Sequence, residues 1–151
     1  MNAGYLIVVG VDGSEGGRRA LEWAASEAAG RGGAVQAVMA WSWDGLDYGP
    51  VAADTPQEEE RRATALLNDE IRALIRDRGS HLPVTGRVLE GSPAEVLARA
   101  SSGAGMLVLG SHGHSRVRHT VLGSVSEACI RDAACPVVVI PVAVGAVPAG
   151  G

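Results

Sequence analysis

Five short apolar runs, separated by four helix-like stretches, constrain this chain more than any other feature. The runs are Tyr5 to Gly10, Ala34 to Trp41, Val84 to Glu90, Met106 to Gly110 and Pro136 to Val142. They are rich in valine and other strand formers, and each is too short for a helix of its own. Ser14 can cap a first helix that runs through Leu21, Ala24, Ala25 and Ala28 to a glycine stop at Gly30. Thr55-Pro56-Gln57-Glu58 is a capping box with proline at the first helical position, and its helix stops at Gly79. Ser92-Pro93-Ala94-Glu95 is a second box, opening a helix to about Ser102, and Ser124 to Ala133 is the fourth helix. Strict alternation of this kind predicts an α/β fold: a doubly wound, five-stranded parallel sheet with helices on both faces, Rossmann-like, in strand order 3-2-1-4-5. Residues 1–142 are expected to form one domain and 143–151 a flexible tail.

In such sheets ligands bind at the carboxyl ends of the strands, where the winding reverses. With strand one central, that crevice lies between the ends of strands one and four. Val11-Asp12-Gly13-Ser14 then faces Gly110-Ser111-His112-Gly113, and Met39-Ala40-Trp41 forms the next wall. The second of these segments opens a glycine-rich loop that runs from a strand into a helix N-terminus at Ser124. Backbone N–H groups and the helix dipole make such a loop a place to hold a phosphate. Gly110 and Gly113 permit close approach or positive φ, and Ser111 and Ser124 add hydroxyl donors. No acidic residue lies between Glu95 and Glu127, whereas Arg99, Arg116, Arg118 and three histidines do.

Composition narrows the chemistry. The net charge of −4 argues against a general nucleic-acid binder. No apolar run approaches the ~20 residues needed to span a bilayer. The N-terminus has no basic region before its apolar run, so the expected location is the cytoplasm. The chain contains no lysine, so a Walker A lysine, a Schiff base and a lysine general base are all excluded. Cys129 and Cys135 form no CxxC pair and read as small core filler. His112, His114 and His119 lack the helical i, i+4 spacing and nearby carboxylates of a metal site, so no metal ligands are assigned. His112 and His114 read better as phosphate donors, and Arg116 either reaches the phosphates or is a solvated loop charge. Trp41, Trp43 and Tyr48 either cover a ligand or shield the sheet edge.

Gly110, Gly113, Gly123 and Ser124 meet every defined position of a Gly-x2-Gly-x9-Gly-[Ser/Thr] motif. On that motif the chain resembles the universal stress protein family, in its single-domain, ATP-binding branch. Val8 to Ser14 looks like the family's first strand and acidic turn, and Cys135 to Ile140 looks like its last strand. The resemblance covers roughly residues 4 to 142. It implies ATP with Mg²⁺ in the crevice described above. Val11 and Asp12 then lie near the ribose and adenine, and Ala40 offers its backbone to adenine. Gly110, Gly113, Gly123 and Ser124 match the ribose and phosphate loop, extended by Val125 and Ser126; the family gives no role to His114 and Arg116, which with Ser111 and His112 remain candidates on their own chemistry. It further implies a homodimer through Val137 to Ile140 and a stress-response regulator or sensor with an unknown protein partner. No catalytic residue is assigned. The alternatives are a slow ATPase that phosphorylates itself and a cAMP-binding protein.

Overall fold

The computed structural model describes residues 4–43, 55–79, 81–112 and 122–141. The element order is β1 (Leu6–Gly10), α1 (Glu15–Arg31), β2 (Ala34–Trp41), α2 (Pro56–Arg78), β3 (Val84–Glu90), α3 (Pro93–Ala100), β4 (Met106–Gly110), α4 (Ser124–Asp132) and β5 (Val137–Ile140). All four strand pairings are parallel, and the sheet order is β3-β2-β1-β4-β5. The doubly wound fold is the one the alternation predicts. The expected tail, 143–151, lies outside the described residues.

Side-chain alternation divides the core in two. Ile7 and Val9 of β1, with Met106 and Val108 of β4, pack under α1 and α2. Val8, Leu107 and Leu109 pack on the other face, against Val96 and Leu97 of α3 and Cys129 of α4. The central strands are therefore apolar on both faces, and Ile7, Val8, Val9, Leu107 and Val108 are fully inaccessible. Each such side chain contributes roughly 1.5–3 kcal/mol through removal from water.

The pole of the sheet away from the strands' carboxyl ends is closed by Tyr5. Its hydroxyl donates to the Gly105 carbonyl at 2.9 Å, and its ring lies 4.7 Å beneath the Arg31 guanidinium. At the other pole, α1 carries two glycines in its first turn, Gly16 and Gly17, and the first lies against β4. A Cβ on Gly110 would lie 2.8 Å from both the C and O atoms of Gly16, so β4 and α1 meet backbone to backbone.

Three local expectations need correction. α1 does not stop at Gly30. It continues to Arg31 and is capped by Gly32, which takes φ 67° and donates its N–H to Ala28. Gly30 keeps a helical backbone, so the glycine in the left-handed region ends the helix. Ser92 makes no side-chain cap bond, unlike Thr55, whose box closes in both directions, and α3 ends at Ala100. Ser92 is exposed, so its hydroxyl is left to solvent.

Candidate functional site

A cavity of about 370 Å³ opens at the carboxyl ends of β1, β2 and β4. Each wall follows from a local sequence device. Val11 leaves β1 and donates its N–H to the Val38 carbonyl at 2.9 Å, which ties the strand end to β2. Asp12 then turns the chain: its Oδ1 accepts from the Ser14 amide at 2.9 Å and from the Ser14 hydroxyl. Ser14 Oγ in turn caps α1 by accepting from the Gly17 amide at 3.1 Å. Glycine at 17 serves this turn, because a Cβ there would lie 3.1 Å from Asp12 Oδ1. Asp12 therefore serves two roles. It starts the helix, and it lines the cavity.

Across the cavity, the backbone at Gly110 and Ser111 and at Gly123 to Ser126 is fixed by a set of hydrogen bonds. The Ser111 amide donates to the Ile140 carbonyl at 2.9 Å, and the Ser111 carbonyl accepts from the Gly123 amide at 2.7 Å. Ser126 Oγ lies 2.8 Å from the Gly110 carbonyl and 3.2 Å from that of Ser111. Gly123 is the N-cap of α4 and brings no side-chain cap, so the first-turn amides keep their outward donors. Ser124, Val125 and Ser126 of that turn line the cavity.

Of the residues expected at the site, Val11, Asp12, Ala40, Gly110, His112, Gly123, Ser124, Val125 and Ser126 come together around this cavity. Gly113, His114 and Arg116 lie outside the described residues. Two expected roles change. Ser111 is buried and not in the lining; its Oγ lies 3.2 Å from His112 Nδ1. Ser126 lines the cavity, but its hydroxyl is committed to the carbonyls behind it, so it positions the loop. Of the expected β2 wall, Met39-Ala40-Trp41, only Ala40 lines the cavity. Val38 and Ala40 face the cavity, whereas Met39 and Trp41 alternate to the opposite face and pack under α1 and α2. Trp43 is exposed, and Tyr48 lies outside the described residues.

The sequence reading missed the wall from α3, where Pro93 and Leu97 join Val38, Ala40 and Leu109 in an apolar surface. Gly10 at the end of β1 makes room for this wall: a Cβ there would lie 2.7 Å from Leu97 Cδ1. Among the described lining residues the ionisable ones are Asp12 and His112. Among the described residues no group of three His, Cys, Asp or Glu side chains is placed to hold a metal ion. Cys129 lies behind α4 and α3, its Sγ 4.0 Å from the Ala94 carbonyl. Burial, with a smaller contribution from Asp132, pushes its thiol up to about 11, which suits packing and not chemistry. No helix among the described residues is long and apolar enough to cross a membrane.

Among the described residues the arrangement offers an apolar slot, one carboxylate, one imidazole and a helix N-terminus with no side-chain cap. The sequence model of the universal stress protein family matches residues 6–141. A universal stress protein of Mycobacterium tuberculosis is 35% identical over 139 residues, which are 88% of this chain and 44% of that relative. The chain thus spans less than half the length of such curated relatives. Among solved structures, a universal stress protein in complex with cAMP superposes with a TM-score of 0.70 at 21% identity, over 92% of this chain and 98% of its own. The universal stress protein from Archaeoglobus fulgidus in complex with dAMP superposes with a TM-score of 0.66 at 24% identity, over 93% and 99%. At these identities the likeness concerns the fold. By the match along nearly its whole length, the chain belongs to the universal stress protein family.

Proposed function

We propose that this protein is a regulator that binds ATP in the cavity at the ends of β1 and β4. The observation that carries the reading is the pairing of an apolar slot with the uncapped N-terminus of α4 in one cavity. Adenine suits the Val38, Ala40, Pro93 and Leu97 wall, and Asp12 is an acceptor for ribose hydroxyls. Phosphates suit the first-turn amides of α4 and the loop that begins at Gly110. The neighbours solved with cAMP and dAMP support an adenine nucleotide as the ligand. The cAMP-bound neighbour keeps a cyclic nucleotide as the second reading.

Asp12 is the one carboxylate in the described lining, and its Oδ1 is already bonded to Ser14. That donor set suits Mg²⁺ arriving on the phosphates, which supply most of its oxygen ligands. It also leaves no carboxylate base beside a terminal phosphate among the described residues. Hydrolysis is therefore expected far below the ~1 to 100 s⁻¹ of kinases, and occupancy would act as a signal to a protein partner. β5 is an edge strand with its apolar side chains half-buried, which supports pairing with a second copy.

Titration calorimetry with ATP and Mg²⁺ tests the reading. Binding is expected in the micromolar range, about −8 kcal/mol, and Asp12→Ala should weaken it. No heat up to millimolar ATP, or affinity unchanged in Asp12→Ala, would overturn it.

A further inference from the structure

His112 is the one group in the described lining whose ordinary chemistry lets it change charge near neutral pH. Its place in the cavity gives that property a direction. The ring is half-buried, with Nδ1 3.2 Å from Ser111 Oγ. It lies alongside the N-cap of α4: a Cβ on Gly123 would be 3.5 Å from His112 Cα and 3.7 Å from its Cδ2. The imidazole and the positive end of the helix dipole therefore face the same volume.

With the cavity empty of anions, a cationic ring beside a helix N-terminus is disfavoured by the dipole. A phosphate placed between them reverses that balance, because it attracts both. The imidazolium then donates from both ring nitrogens, where the neutral ring donates from one. A neutral nucleoside brings no such reversal.

We propose that His112 selects ligands carrying phosphate charge by taking up a proton from solvent as they bind. The inference rests on the nucleotide reading above and adds to it a proton as second ligand. Other charged groups lie on the elements around the ring. Asp12 faces the cavity from the β1–α1 turn, with Glu15 exposed on the next turn of chain. Glu95 and Glu127 lie in the first turns of α3 and α4, exposed and outside the lining. His114, Arg116, Arg118 and His119 follow in sequence, outside the described residues.

The test is calorimetry on the whole chain with adenosine and with ATP in excess Mg²⁺, which keeps the terminal phosphate from titrating in this range. Runs at pH 7 in two buffers of different ionisation heat count protons taken up. In the wild type, ATP is expected to bring a measurable fraction of a proton and adenosine none. ATP affinity should fall about tenfold from pH 6 to pH 8, with adenosine changing less than about twofold. His112→Gln should lose the proton uptake and flatten the ATP profile. His112→Arg, cationic throughout, should bind ATP without proton uptake and without the fall at pH 8, a rescue that a merely structural role would not produce. Adenosine and ATP both binding, with no proton taken up, would overturn the inference and leave the nucleotide reading standing. Uptake unchanged in His112→Gln would also overturn it. If neither ligand binds, both readings fall together.

Discussion

Alanine at Gly110 tests the central contact of the site with a single methyl group. The added Cβ would lie 2.8 Å from Gly16 C and O, and 3.1 Å from Gly16 Cα. It falls 0.6 Å short of the 3.4 Å at which ordinary contact begins, and the atoms it meets are backbone, which no rotamer change can move. Gly110 does not take positive φ, so the penalty is purely one of space. Overpacking of this kind costs about 1–3 kcal/mol, a large share of the roughly 5–15 kcal/mol that holds a domain folded. Relief requires β4 and the first turn of α1 to separate. That turn carries Ser14 and Gly17, which line the cavity opposite α4. Gly110→Ala should therefore lower the urea midpoint and weaken ATP binding about tenfold or more, the equivalent of ~1.4 kcal/mol. Gly30→Ala is the matched control. Nothing lies within 4 Å of its added Cβ, and alanine in a helix should stabilise by up to about 1 kcal/mol. Gly110→Ala unfolding within about 0.5 kcal/mol of wild type, with its ligand affinity intact, would refute the reasoning.

Two further outcomes are expected. Ser126→Ala removes a buried hydroxyl from the Gly110 and Ser111 carbonyls and should cost about 1–2 kcal/mol in urea unfolding; no loss would mean that those carbonyls need no side-chain donor. Cys129, fully buried and with its thiol held up to about 11, should resist iodoacetamide at pH 8 in the folded protein and react once it unfolds, followed by intact mass. An unfolded thiol ionises near pH ~8.5. The stability Cys129 contributes is therefore complete below that pH and is lost as pH rises toward the folded value. Modification of native Cys129 at the rate of a free thiol would contradict this.

Much of the fold is legible because both strand faces are marked. Valine runs between capped helices are found at the expected places, and the Thr55 box forms as its letters suggest. The two families of side chains on β2 were harder to separate. Val38-Met39-Ala40-Trp41 is apolar throughout, so the letters do not show which members face the cavity; the alternation in three dimensions assigns Val38 and Ala40. Gly30, Gly32 and Gly33 are equally plausible helix stops in one dimension, and only the backbone angle at Gly32 distinguishes it. The site was legible where glycines mark it. It was not legible at α3, because Pro93 and Leu97 carry no chemistry that marks a binding surface. Nor did the letters show that Ser126 bonds to carbonyls behind the cavity, since a hydroxyl in a helix's first turn reads the same in either role.

β1 lies at the centre of the sheet, and that placement imposes an order on biosynthesis. β1 pairs with β2, about thirty residues on, and with β4, where Ile7 meets Met106. The chain up to Glu90 can lay β3, β2 and β1 side by side while the remainder is still being made. Until Met106 to Gly110 has left the ribosome, one edge of β1 has no partner. Closing a gap of this length is slow relative to local pairing, and at the usual 5–20 residues per second it leaves Ile7, Val8 and Val9 uncovered for several seconds. A nascent chain stalled before β4 would therefore expose the unpaired edge of β1, and it is there that a chaperone would be expected to hold it.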